Sequence, residues 1–301
     1  VTTALNIQQP LLGQLNKTPL TTGASDTRLI SYLGRANYTF NNKYVLTSTL
    51  RIDGVSKFSE SNRYGYFPSF AFAWRMVDES FVSNLNVFDD LKLRAGWGQI
   101  GNHGIRPYAT LSNYASDAQT LYGNSENGVD VPIFLQNIAN PDLTWETTEQ
   151  LNIGLDFAFF QSRLTGTVDA YSKLTKDLLQ NVPIPLSSGF LNLQINRGEI
   201  QNRGIEASLN AILIDGRDFT LSIGGNIAFN KTKLSEIGLP PSDILIDGNY
   251  VRRAFYEGNQ VSRGNIYKYS PNVFIDGEET GLFYGFETNG IYQVNNPLPD
   301  G

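Results

Sequence analysis

The eleven residues from Tyr66 to Met76 (YFPSFAFAWRM) constrain the fold of this chain more than any other stretch. Tyr66, Pro68, Phe70, Phe72, Trp74 and Met76 all fall on one parity, which makes a strand with one strongly apolar face. The opposite parity holds Ser69, Ala71, Ala73 and Arg75, with Phe67 the exception. The second face is therefore expected to be small or charged rather than a second hydrophobic core. A soluble strand usually has about 5 to 6 residues, whereas a tilted strand needs roughly 9 to 11 to cross a bilayer. The run has the second length, and a membrane β-barrel is the frame against which the other segments are judged.

The same alternation recurs along the chain. Tyr32, Gly34, Ala36, Tyr38 and Phe40 oppose Arg35, Asn37 and Thr39, and after the turn Asn41-Asn42-Lys43 the residues Tyr44, Leu46, Leu50 and Ile52 oppose Thr47, Thr49, Arg51 and Asp53. Tyr38, Phe40 and Tyr44 gather at that turn, as an interfacial aromatic girdle requires. One short helix is expected within Asp78 to Asp90. Leu91, Leu93, Ala95 and Trp97 form the next apolar face, followed by Leu151 to Phe157, Leu164 to Ala170, Ile205 to Ala211 and Phe219 to Phe229. Gly281 to Gln293 offers a last strand, for about nine in all.

Connections alternate between short and long, as they do in transmembrane barrels with short periplasmic turns and longer extracellular loops. Asn41–Lys43, Val77–Asp90, Gln161–Arg163 and Asp215–Arg217 are then periplasmic. Gly54–Tyr64, Ile100–Glu146, Thr175–Arg203 and Lys231–Thr280 lie outside the cell. By parity, Arg35, Arg51, Asp53, Arg75, Lys92, Arg94, Asp156, Asp169 and Glu206 are expected to share the lumenal face, pairing mainly with one another.

Composition narrows the functions. A net charge of −6 over 301 residues gives no electrostatic footprint for nucleic acid. No apolar run reaches the length of a transmembrane helix, and a mean hydropathy of −0.24 is compatible with alternating barrel strands. With no cysteine and His103 as the only histidine, thiol chemistry, zinc sites and a serine-histidine triad have little to build on, so no enzyme is expected. Gly96-Trp97-Gly98-Gln99-Ile100-Gly101 satisfies the dinucleotide fingerprint, yet the Gly- and Pro-containing sequence after it opposes the helix that fingerprint needs. No cofactor is expected. The carboxylates of Asp243 to Asn249 and Asp276 to Glu279 lack an EF-hand pattern and read as solvated loop charge. The sequons at Asn16, Asn37 and Asn230 read as chance matches in an Asn-rich chain.

The block Ser56 to Val82 (SKFSESNRYGYFPSFAFAWRMVDESFV) resembles the SusC/RagA family of TonB-linked outer-membrane transporters of Bacteroidetes. Leu91 to Tyr108, Asn140 to Phe157, Leu178 to Glu206 and Gly281 to Gln293 are similar to the family in the same order. The resemblance implies a segment, residues 1–301, of a larger barrel of about 22 strands, located in the outer membrane. It implies that the plug and N-terminal domains lie outside this stretch, which has neither an initiating methionine nor a signal peptide at Val1 to Leu12. Import of oligosaccharides or peptides, with a SusD-like surface lipoprotein and the TonB complex as partners, is also implied. Substrate contacts are sought first in Asn102, His103, Arg106, Tyr108 and Tyr114, which mix hydrogen-bonding groups with aromatic faces. The alternative is a secreted or surface β-sandwich that binds carbohydrate.

Overall fold

The structure, a computed structural model, describes residues 25–116, 133–258, 261–263 and 267–285. Eight strands form one antiparallel sheet in chain order: β1 Leu29–Phe40, β2 Tyr44–Val55, β3 Tyr64–Arg75, β4 Phe88–Asn102, β5 Glu146–Phe159, β6 Leu164–Lys176, β7 Glu199–Asp215 and β8 Thr220–Glu236. Each strand pairs only with its chain neighbours within this sheet, so β1 and β8 are its edges. Among the described residues no second sheet packs across it, unlike a sandwich.

Strands are longer than their alternating cores suggest, with 12 to 17 residues each. Many of the extra residues belong to segments expected as loop, such as Glu199–Arg203 and Lys231–Glu236, where no sustained alternation marks a strand but backbone pairing continues. The ninth expected strand is described only as far as residue 285. There Leu282–Phe283 pairs with Asn272–Ile275 in a small loop sheet, and residues 286–293 lie outside the described residues, as do Val1 to Leu12 and the sequon at Asn16. The segment expected to hold a short helix does so at Ser80–Ser83, after a 3₁₀ turn at Met76–Asp78.

Register assigns the faces, because residues directly opposite on neighbouring strands share one. Tyr44↔Trp74, Leu46↔Phe72 and Leu50↔Pro68 join β2 to β3, and Phe70↔Trp97 and Trp74↔Leu93 carry the apolar face to β4. Leu93↔Leu155, Leu155↔Val168, Val168↔Ala207 and Ala207↔Ile227 extend it to β8. The polar face runs Arg35↔Thr49, Thr49↔Ser69, Ser69↔Gly98 and Gly98↔Gln150. Every charged strand residue expected on that face lies there.

All short turns lie at one end of the sheet. Asn41 and Asn42 take left-handed φ values of 49° and 54° in the first, a conformation that asparagine tolerates better than most residues. Beside it, Glu79 accepts from the Tyr44 hydroxyl at 2.8 Å, the Lys43 ammonium at 3.1 Å and the Trp74 indole at 3.3 Å. Phe40, Tyr44, Trp74 and Phe81 form a run of aromatic neighbours around it, with centroids 6.1 to 6.4 Å apart. Phe40 and Tyr44 belong to the aromatic cluster expected at this turn; Trp74 and Phe81 join them, Tyr38 does not, and one carboxylate anchors the group. The hydrogen bond from the Tyr44 hydroxyl, and those from Lys43 and Trp74, hold the Glu79 carboxyl below its ordinary value.

Candidate functional site

At the end carrying the long loops, the polar face is not uniformly small and charged. Phe67, the parity exception, is buried together with Val55, Phe58, Ile105, Leu143 and Trp145. This local core corrects the expectation that the second face holds none. Its physical origin is a fork: β3 stays paired with β2 as far as Gly54↔Tyr64, while its ladder to β4 stops at Ser69↔Gly98. Beyond that point β4 follows β5 alone, to Asn102↔Glu146. The gap admits aromatic side chains, and the Phe67 ring meets Trp145 edge-on at 5.4 Å with Phe58 tilted at 5.4 Å on the same indole.

Polar contacts lock the loops around that core. The Trp145 indole donates to the Arg63 carbonyl at 3.3 Å, and the Ser59 hydroxyl donates to the Pro141 carbonyl at 2.7 Å. Asn196 accepts from the Thr144 amide at 2.8 Å and donates to the Thr144 carbonyl at 2.8 Å, while the Asn140 amide donates to the Gln194 carbonyl at 2.8 Å. Glu146 accepts from Asn102 and from the Leu179 backbone amide. Four of the blocks that carry the family resemblance, far apart in the chain, therefore meet at one place.

Below the fork the polar face opens into a cavity of about 570 Å³. Arg35, Thr49, Arg51, Asp53, Gln150 and Asn152 line it. Arg35 donates to the Thr49 hydroxyl at 3.2 Å and Arg51 to Asp53 at 2.8 Å. Further toward the short turns, Arg94 grips Asp156 through bonds of 2.7 to 2.9 Å and also reaches Asp169 at 3.1 Å. Lys92 adds a 2.8 Å ion pair to Asp156. Arg94 faces Gly154, and Gly154 faces Asp169, so the arginine crosses an intervening strand to reach its second partner. A Cβ at Gly154 would collide with Asp169 and lie 2.7 Å from the arginine Nη2. Such a wall of paired charges and amides keeps water and polar solutes favourable beside it. Among the described residues no group of three or more His, Cys, Asp or Glu is placed to hold a metal. The fingerprint-like glycines 96–101 lie inside β4, where no helix follows.

The five residues singled out in the sequence spread over the loop end. Asn102 closes β4 and donates to Glu146 at 3.1 Å. His103 stands edge-on to Trp145 at 5.4 Å, with the Lys57 ammonium 3.5 Å from its Nδ1. Arg106 is exposed on the next turn, and Tyr108, at φ 64°, accepts from the Asp26 amide at 3.2 Å. Tyr114 stands apart, 71% exposed on the hairpin that pairs Tyr114–Ser116 with Ile133–Leu135. Of the five, His103 touches the core at Trp145 and Asn102 bonds to Glu146 beside it, whereas Arg106, Tyr108 and Tyr114 are exposed on the neighbouring loops. Lys57 and Trp145 went unnoticed in the sequence. Phe67 breaking the parity of its strand was the available signal.

The sequence profile of a family described as TonB dependent receptor-like, beta-barrel, matches residues 3–298. A TonB-dependent receptor of Formosa agariphila is 38% identical over 278 residues, covering 92% of this chain and 26% of its own length. The TonB-dependent receptor SusC of Bacteroides thetaiotaomicron is 38% identical over 279 residues, covering 90% of this chain and 26% of its own length. The chain thus spans about a quarter, 26%, of these curated relatives. Among solved structures, the RagAB peptide importer in its closed-closed state superposes with a TM-score of 0.62 at 26% identity, over 80% of this chain and 29% of that one.

Proposed function

The chain belongs to the TonB-dependent receptor β-barrel family, and from that premise we propose that it supplies part of the wall and external loops of an outer-membrane importer for oligosaccharides or peptides. The observation that carries the reading is the 38% identity to SusC over 90% of this chain. The fold agrees with it: one continuous sheet with an apolar and a polar face, and all long connections at one end. The apolar face meets lipid and the polar face the lumen. Outside this stretch lie the plug and the segments that engage the TonB complex, while a SusD-like surface lipoprotein covers the loop end. The peptide option draws on the name of the RagAB importer, and the glycan option on the family resemblance.

In this reading substrate is captured at the loop end, where Asn102 and His103 stand beside the Trp145 core, Arg106 and Tyr108 are exposed on the following turn, and Tyr114 contributes an aromatic face from its hairpin. It then passes along the wall of Arg35, Arg51, Gln150 and Asn152 once the plug moves. The experiment is uptake of labelled oligosaccharides and labelled peptides by cells carrying the full-length protein, with and without a working TonB. Accumulation of one class that needs both proteins is the expected result. Uptake independent of TonB, or of neither class, overturns the proposal. In the same cells Arg106→Ala with Tyr108→Ala should lower uptake several-fold at unchanged protein level in the outer membrane, and unchanged uptake would remove these two from the capture site.

A further inference from the structure

The apolar face ends differently along the sheet. On β1 to β3 its two rows nearest the loops are Ile30, Gly54 and Tyr64, then Tyr32, Ile52 and Tyr66, apolar and aromatic residues suited to a membrane border. On β7 and β8 the pair Ile205↔Phe229 is followed on the same face by Arg203↔Lys231 and Gln201↔Lys233. Along β8 the apolar parity runs from Phe219 to Phe229, a span of about 11 residues that suffices to cross a bilayer, so Lys231 stands at the border itself. All three cations are exposed. Gln201, with its amide oriented to accept, takes the Arg203 guanidinium at 2.9 Å and keeps it beside the lysines. Glu279 pairs with Lys231 and stands opposite Lys233, while Glu278, close enough to act on both lysines, is itself paired with Arg253. Glu149, on the same face of β5, is occupied by the Trp97 indole at 2.7 Å.

Past the exposed pair Ile205↔Phe229, a groove of about 550 Å³ opens on the apolar face, lined by Phe157, Val168, Ala207, Leu209, Ile223 and Ile227. Arg203 is four residues from Ala207, about 14 Å along the strand. An apolar slot joined by one apolar row to clustered cations at the edge of hydrocarbon matches one kind of molecule. We infer that β7 and β8 hold a phosphate-bearing lipid of the outer leaflet, its headgroup on Arg203, Lys231 and Lys233 and an acyl chain in the groove. Cations at a membrane border attract anionic headgroups, and charge-assisted bonds to phosphate oxygens are the stronger kind. The inference rests on the reading of this sheet as a membrane barrel wall.

The test uses the full-length protein in detergent, titrated with diphosphoryl lipid A and followed by native mass spectrometry. Replacing Arg203, Lys231 and Lys233 together by glutamine is expected to weaken binding by at least about tenfold, while Arg217→Gln, at the opposite end of the sheet, leaves it unchanged. Glu279→Gln should strengthen binding, since it frees Lys231. Equal affinity of the triple variant, or equal binding of lipid A stripped of its phosphates, overturns the inference. Inorganic phosphate that competes as well as the lipid would show a plain anion site and overturn it too. Heat-modifiable mobility of the wild type and the variants in outer membranes separates the two readings. A wild type that does not insert as a folded barrel defeats the membrane reading itself, whereas folded variants with undiminished binding defeat only the lipid site.

Discussion

Gly154 shows how one absent side chain organises three strands. Asp169 and Glu206 stand directly opposite on β6 and β7, and like charges so placed repel. Arg94 relieves that repulsion only because nothing projects from Gly154 between it and Asp169. Gly154→Val should cost about 1 to 2 kcal/mol, after discount for the partial exposure of the ion pairs, visible as a lower denaturation midpoint of the full-length protein in micelles. A midpoint equal to wild type would show that the bridge contributes nothing. On the neighbouring faces of β3, Phe72→Arg places a cation against lipid at roughly 2 to 4 kcal/mol near the midplane, and Ala73→Arg points it to the polar side. Folded yield in outer membranes should fall far more for the first; equal yields would reverse the assignment of faces. Parity made this distinction legible from the sequence alone. The Arg94 bridge was not legible, because it depends on the register between strands some 60 to 75 residues apart, which no local pattern encodes.

Among the elements, the two ends of the sheet are held by different means. At the short-turn end Glu79 gathers a tyrosine, a lysine and a tryptophan. Its carboxyl titrates below its ordinary value in the folded state, so the stabilisation it provides is present above the unfolded value and is lost as pH falls through the depressed one. Acidification below about pH 4.5 should therefore change the emission of Trp74, whose indole donates to that carboxyl, and Glu79→Gln should abolish the change. A persistent transition in that variant would assign it to another group. At the loop end Trp145→Ala should cost about 3 to 5 kcal/mol locally and be read as faster protease cleavage in 56–63 and 137–145 with the barrel intact. Cleavage at the wild-type rate would mean that hydrogen bonds alone hold those loops. The Phe40–Tyr44 contact at the first turn was readable because the two are near neighbours in sequence; that Trp74 and Phe81 complete it was not. The Trp145 core was not, since Leu143 and Trp145 sit in a stretch without periodicity and meet Phe67 only through the fork between β3 and β4.

For the whole molecule, the two sheet edges, along which no further long strand pairs among the described residues, and the broad apolar face set its behaviour. In water the face exceeds what soluble monomers expose, and in hydrocarbon each unsatisfied edge group costs several kcal/mol. Residues 1–301 refolded without detergent should associate, as seen by light scattering; a monodisperse monomer that melts cooperatively would favour a soluble β-sandwich instead. The edge at β8 is nevertheless not free along its length. Residues 277–280 fold back on it: the Gly277 amide donates to the Leu234 carbonyl at 2.8 Å, the Leu234 amide to Glu278 at 2.9 Å, and the Thr280 amide to Thr232 at 3.2 Å. The chain has already taken the upper part of its own docking line. Whatever strand continues the wall can register only against Thr220 to Asn230, a length of about 11 residues that is just what a bilayer crossing requires. Its stagger relative to β8 is thereby set before it arrives, and any pairing slid toward the loops would have to evict the segment around Glu278.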